Sequence, residues 1–196
     1  MSVSRETSDR LTAYAALLRK WNDRINLIAP STVPDLERRH ISDSLQLAQL
    51  AQPVGGLWAD LGSGGGLPGL VIAIASAKTA TQVVLVESDQ RKCAFLRSAI
   101  RELGLENATV KTARIESLSP LTADYISARA LAPLDRLMPY VRRHLKPDGQ
   151  AWLMKGENWQ AELTAARLDP TIQVTPYASE TQPGAAILKL SGIQQT

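Results

Sequence analysis

The 196-residue chain holds a single cysteine, Cys93, which excludes an internal disulfide framework and suits a reducing compartment. Its longest uncharged stretch, 61–77, is broken by five glycines and a proline. A membrane span needs roughly 20 consecutive apolar residues, so none is expected. The opening residues lack the apolar segment of a secretory leader. Neither an internal repeat nor a low-complexity tract interrupts the chain. A hydrophobic share of 44% against 21% charged residues excludes the disordered, collagenous and secreted mini-protein classes. At roughly 150 residues per domain the length predicts one domain, large enough to bury a full core. These absences leave a soluble, cytoplasmic, single-domain protein as the expectation.

Charge is nearly balanced, with 22 Lys+Arg against 19 Asp+Glu and a net +3. That total admits a nucleic-acid partner without demanding one, because phosphate contacts need local clusters of cations. Four clusters occur: Arg19, Lys20 and Arg24; Arg38, Arg39 and His40; Arg91, Lys92 and Arg97; and Arg142, Arg143, His144 and Lys146. Each reads equally well as a solvated helix face.

Apolar residues recur at three- and four-residue spacing from Leu11 through Tyr14, Leu18, Trp21 and Ile25 to Ile28, predicting one helix stopped by Pro30. Ser31 or Thr32 caps a second helix whose stripe is Leu36, Ile41, Leu45, Leu47 and Leu50. After Pro53, Gly55 and Gly56 the rhythm changes to strand–helix alternation. Strands are predicted at 57–61, 83–87, 109–112, 125–128 and 151–155, with helices at 68–77, 89–103, 133–145 and 158–168. Segments 172–177 and 185–190 close the chain as an antiparallel pair around Gln182-Pro183-Gly184. The reading is α/β, a mostly parallel sheet with helices on both faces, built of an N-terminal helical cap (1–52) and a core (53–196).

The strongest local signal is Asp60-Leu61-Gly62-Ser63-Gly64-Gly65-Gly66-Leu67-Pro68-Gly69, a strand running through close glycines into a helix. Glycines permit a sharp bend and let a ligand approach bare backbone. Gly64, Gly66 and Gly69 fit the dinucleotide spacing, and Glu87 follows 18 residues later at the tip of the second strand, placed to accept from ribose hydroxyls. Asp60, at the end of the first strand, is expected to face the ligand and to favour an ammonium or sulfonium over a pyrophosphate. The closing strand pair likewise points to the methyltransferase variant of the Rossmann-like fold.

These segments resemble a known family. Leu18-x-x-Trp21-Asn22-x-x-Ile25-Asn26-Leu27, Arg39-His40-Ile41-x-Asp43-Ser44-Leu45, the glycine loop, Ser127-Ala128-Arg129-Ala130 and Met154-Lys155-Gly156 are similar to the RsmG (GidB) family of bacterial 16S rRNA guanine-N7 methyltransferases. The resemblance implies a class I fold, with a seven-stranded sheet whose last strand is antiparallel. It implies S-adenosylmethionine as cofactor and a guanine of 16S rRNA in the 30S subunit (nucleotide 527, in the 530 loop) as acceptor, with neither membrane nor protein partner. Carried over by position, Gly62, Gly64 and Leu67 line the cofactor pocket with Asp60 and Glu87. Ile115 and Glu116 hold the adenine, and Arg129 lies at the same site.

Guanine N7 carries an in-plane lone pair and no proton, so attack on a sulfonium methyl needs no general base, only positioning. Cys93 then reads as a core residue. His40 and Asp43 share a helix face and either shape the acceptor pocket or tie the N-terminal helices to the sheet. Lys155, at the end of a strand, meets a phosphate or the guanine O6, or else forms a surface salt bridge. Competing functions are a methyltransferase acting on another RNA, a small molecule or a protein, a nicotinamide-dependent dehydrogenase, and a non-catalytic RNA-binding module. Asp60 and the lack of an evident Tyr-x-x-x-Lys or His-Asp set speak against the dehydrogenase.

Overall fold

The computed structural model describes residues 3–194. Seven strands, β1 (Gly55–Leu61), β2 (Ala80–Glu87), β3 (Ala108–Thr112), β4 (Ala123–Arg129), β5 (Leu145–Lys155), β6 (Gln173–Ala178) and β7 (Ala186–Ser191), form one sheet in the order β3-β2-β1-β4-β5-β7-β6. Strand pairs are parallel except around β7, which runs antiparallel to both β5 and β6. The order reverses between β1 and β4, and in open α/β sheets ligands bind beyond the carboxyl ends of the strands at such a switch.

Side chains alternate across the pleat. Trp58, Val83, Leu85, Trp152, Met154 and Ile187 face one layer, and Ala59, Leu61, Val84, Val86, Ala151 and Leu153 the other. The first layer is covered by α1 (Arg5–Asn22), α2 (Asp43–Ala51), α3 (Gly69–Ala75) and α4 (Gln90–Glu102); α5 (Leu134–His144) and α6 (Trp159–Ala166) cover the second. Ser4 caps α1 by accepting from Thr7 N–H, and Asp89 caps α4 by accepting from Arg91 and Lys92 N–H. None of the helices among the described residues is long and apolar enough to cross a membrane.

The N-terminal region departs from the expected pair of regular helices. The α1 helix stops at Asn22 rather than running to Ile28. The Asn22 Oδ1 accepts from Leu27 N–H at 2.9 Å and Ile28 N–H at 3.0 Å, so its side chain turns the chain back instead of letting the helix continue. The second expected helix is three pieces: a 3-10 segment (Pro30–Asp35), one π turn (Glu37–Ser42) and α2. Pro34 and Pro30 favour the tight opening, and π turns recur at functional sites. This one carries Arg39 and His40.

Gly69 starts α3 directly against β1 and β2. A Cβ there collides with the Leu85 side chain and sits 2.7 Å from Asp60 Oδ2. Gly69→Ala is therefore expected to lower stability by about 1–3 kcal/mol through overpacking. An unchanged midpoint in denaturant unfolding contradicts this packing.

Candidate functional site

Two cavities open at the carboxyl end of the sheet. The first, 440 Å³, is bounded by Gly62 to Gly65, Leu67, Glu87, Ile115 and Glu116. The second, 680 Å³, is bounded by Arg39, His40, Asp43, Lys155 and Glu162 among others. Leu27, Arg129, Ala130 and Leu131 line both, so the chain leaving β4 is the wall between them. Expected site residues thus separate into two groups that meet at Arg129.

Gly62, Gly64 and Gly66 all take positive φ, at 67°, 54° and 85°, so the loop follows a path that other residues adopt only with strain. A Cβ on Gly62 sits 2.6 Å from Leu131 Cδ1, which fixes the loop against the wall. Glu87 Oε2 accepts from Gly64 N–H at 2.9 Å, while Oε1 accepts from Ser88 and Asp89 N–H at 2.7 and 2.8 Å. Three backbone donors aim the carboxylate at the cavity. From the other side, the fully buried Tyr14 of α1 donates its hydroxyl to Gly65 O. Tyr14 escaped the sequence reading because it sits within an ordinary apolar stripe.

Asp60 is not where the sequence placed it. Its carboxylate does not line either cavity but lies beneath the loop, 1% exposed. Oδ1 accepts from Ser127 Oγ at 2.7 Å, whose oxygen in turn accepts from Trp58 Nε1–H at 2.8 Å; Oδ2 accepts from Gly69 N–H at 3.3 Å. Burial pushes its pKa up to about 6, against the hydrogen bonds and the Arg129 charge that pull it down. The expectation failed because alternation turns Asp60 to the same layer as Trp58, under α3, rather than outward past the strand end.

Arg129 donates from Nη1 to His40 Nδ1 at 2.8 Å. Arginine only donates, so Nδ1 accepts and the proton of the neutral ring is on Nε2. That N–H donates to Thr32 Oγ1 at 2.7 Å, and Thr32 Oγ1–H donates to Ala29 O at 2.8 Å. The chain of bonds therefore has one direction, from Arg129 to the 3-10 segment. Burial first, then the Arg129 and Arg39 charges, push the His40 pKa down to about 4, so the ring stays neutral near pH 7. Asp43 Oδ1 accepts from Ser179 Oγ at 2.8 Å and Thr181 Oγ1 at 3.1 Å, tying α2 to the loop before β7. His40 and Asp43 thus tie the N-terminal elements to the sheet, and both also line the second cavity.

Lys155 lines the same cavity, yet its Nζ is engaged, donating to Ala132 O and Glu162 Oε2, each at 2.8 Å. Glu162 Oε2 also accepts from Leu134 N–H at 3.0 Å. The pair braces residues 132–134 behind the wall, the ion-pair alternative for Lys155. Glu162 gave no signal in the sequence beyond helical placement.

Ile115 and Glu116 sit on a 3-10 turn (Ile115–Ser117) at the first cavity, where Tyr140 and Lys92 also contribute. The fully buried His144 accepts from Leu121 N–H at Nδ1, so its Nε2–H donates to Ile115 O at 3.0 Å and holds that turn. The basic run at the end of α5 is thereby spoken for: Arg143 donates to Leu118 O and Lys146 pairs with Asp124. This run lies about 16 Å along the helix from Pro133 at the second cavity. In the first cluster, Arg19 pairs with Glu37.

The family model for rRNA small subunit methyltransferase G (GidB) matches residues 7–182. A relative of that name from Paracoccus denitrificans is 57% identical over 194 residues, covering 99% of both chains. In fold, the chain resembles a methyltransferase from Geobacter sulfurreducens (TM-score 0.63, 14% identity, 92% of this chain and 87% of that one). It also resembles a SAM-dependent methyltransferase from Aquifex aeolicus (TM-score 0.59, 15% identity, 90% and 97%).

The buried Asp60 makes stability depend on pH with a defined sign. Its folded pKa of about 6 lies above the unfolded value near 3.8, so its contribution is fullest below pH 4 and is lost as pH rises through 6. The loss amounts to about 3 kcal/mol at 1.36 kcal/mol per unit. Unfolding free energies of the native chain minus those of Asp60→Asn should fall across pH 4 to 6. A flat difference sinks the assignment of a protonated, buried carboxyl.

Proposed function

The chain belongs to the rRNA small subunit methyltransferase G (GidB) family, and from that premise we propose that it methylates N7 of a guanine in 16S rRNA (nucleotide 527) within the 30S subunit. S-adenosylmethionine supplies the electrophilic methyl. The residues present fit it: the positive-φ glycines leave bare backbone along the cavity, Gly62 is packed so closely on Leu131 that no side chain can stand there, and Glu87 keeps acceptor capacity beside the loop for ribose hydroxyls. In this reading Gly62, Gly64 and Leu67 hold the cofactor from the loop, Ile115 and Glu116 take the adenine, and Arg129 stands at the methyl end. Asp60 serves from beneath by fixing Gly69 and β4.

The single observation carrying the proposal is the wall shared by the two cavities, which lets donor and acceptor meet at Arg129 to Leu131. The reading asks for no general base on the acceptor side, and two of the titratable groups there are already engaged. His40 is neutral with both nitrogens committed, and Lys155 is ion-paired. That suits N7, which has no proton to lose; holding the base in line and excluding water draws on the roughly 7–11 kcal/mol open to positioning. The N-terminal cap, residues 1–52, supplies Arg39, His40 and Asp43 to the acceptor cavity, and the core supplies Lys155 and Arg129. A pocket this recessed takes an unstacked base rather than one inside a duplex.

The test is transfer from labelled S-adenosylmethionine to unmodified 30S subunits and to naked 16S rRNA, followed by mapping of the modified base. One methyl on a guanine, with the strand lability that N7 methylation confers, is expected. Label on another base or another guanine atom, or none on either substrate, overturns the proposal.

A further inference from the structure

The acceptor cavity carries a charge pattern that the methyl-transfer chemistry itself does not call for. Its two carboxylates differ in what they have left to give. Glu162 Oε2 is taken by Lys155 Nζ and Leu134 N–H. Asp43 uses only Oδ1, for Ser179 and Thr181; among the described residues Oδ2 has no hydrogen-bond partner, and it is not sealed from the cavity. Arg129 shows the complementary surplus. One of its five donors goes to His40 Nδ1, and no other hydrogen-bond partner occurs among the described residues. Burial pushes the Arg129 pKa down, and the Asp43 charge is the largest contribution that opposes it.

We propose that Arg129 and Asp43 read the Watson–Crick edge of the acceptor guanine, Arg129 donating to O6 and Asp43 accepting from N1–H and N2–H; this rests on the guanine-N7 reading above. Guanine presents an acceptor followed by two donors along that edge. A fixed cation and a carboxylate with one free oxygen, lining the same cavity, present the matching sequence. Adenine offers a donor at N6 and a bare acceptor at N1, so it sets donor against Arg129 and acceptor against Asp43. The same placement also solves the register of the reaction. O6 and N7 are neighbours on the purine, so a base held at O6 by Arg129 carries N7 to the wall that Arg129 shares with the cofactor cavity. His40 is a positioning residue here: its neutral Nδ1 fixes one guanidinium nitrogen and leaves the others to the base. Engagement of the Watson–Crick edge further requires the guanine to be unpaired and turned out of its stack.

The experiment compares guanine with inosine at the acceptor position of reconstituted 30S subunits, since inosine lacks only the N2 amine. A lost base-reading contact of this kind costs about 10-fold or more in rate. The native chain should prefer guanine by that factor, and Asp43→Asn should slow transfer to guanine about 10- to 100-fold while its guanine-to-inosine ratio falls toward one. Its affinity for S-adenosylmethionine by titration should stay within about twofold of native. Ser179→Ala, which removes a tie to Oδ1 and leaves Oδ2 alone, should keep the native ratio even where it lowers the melting temperature. A native chain indifferent to inosine, or an Asp43→Asn chain with the native ratio, overturns the inference while the N7 reading stands. A native chain that leaves guanine unmethylated overturns both. Should Asp43→Asn fail to fold, the native guanine-to-inosine ratio decides by itself.

Discussion

A carboxylate buried at the end of the central strand must find every one of its partners inside the protein, and much of this molecule is arranged to supply them. Leaving such a group unpaired costs several kcal/mol. Asp60 finds Ser127 on β4 and the first amide of α3, and Ser127 finds the Trp58 indole one pleat back on β1. That set of bonds fixes the β1–β4 register at the switch point, seats α3 under the glycine loop, and leaves no room for a side chain at position 69. The loop then has a single course, stapled from above by Glu87 to Gly64 and from below by Tyr14 to Gly65.

The same constraint propagates to the acceptor side. Ser127 is two residues before Arg129 on β4, so pinning one aims the other toward the two cavities. Ala130 follows in the left-handed region, at φ 52°, and turns the chain into the wall. Two braces hold that wall from outside: the Arg129–His40–Thr32 chain of bonds, and the Lys155–Glu162 pair behind Ala132 and Leu134. Rigidity of this kind suits the proposed N7 transfer, which asks the protein for positioning rather than for an acid or a base.

Much of this was legible in the sequence, for physical reasons that differ by element. Strands of the core announce themselves by apolar runs and by the glycines and prolines between them, and the glycine loop by close glycines set between a strand and a helix. The antiparallel ending was readable because no helix separates 172–177 from 185–190. The N-terminal region was not, because periodicity is blind to side chains that accept backbone hydrogen bonds. Asn22 ends α1 six residues early in just this way, and the π turn at Glu37–Ser42 keeps an apolar stripe that looks α-helical. Asp60 and Lys155 expose a second limit. Spacing places a residue at a strand end but does not say whether its charge turns to the ligand or to a partner such as Ser127 or Glu162. Motif and resemblance single out candidate residues; only the contacts divide them into those facing a cavity and those holding it.

Under the proposed function the cofactor lies on the glycine-loop side of the wall and presents its methyl to the cavity of His40 and Asp43. A crystal structure of the chain with S-adenosylmethionine measures this directly. The account predicts the adenosine between Glu87 and Ile115, with the sulfonium methyl beside Arg129 and Leu131, open toward Asp43 and Lys155. A methyl directed away from that cavity, or a cofactor seated within it, contradicts the account.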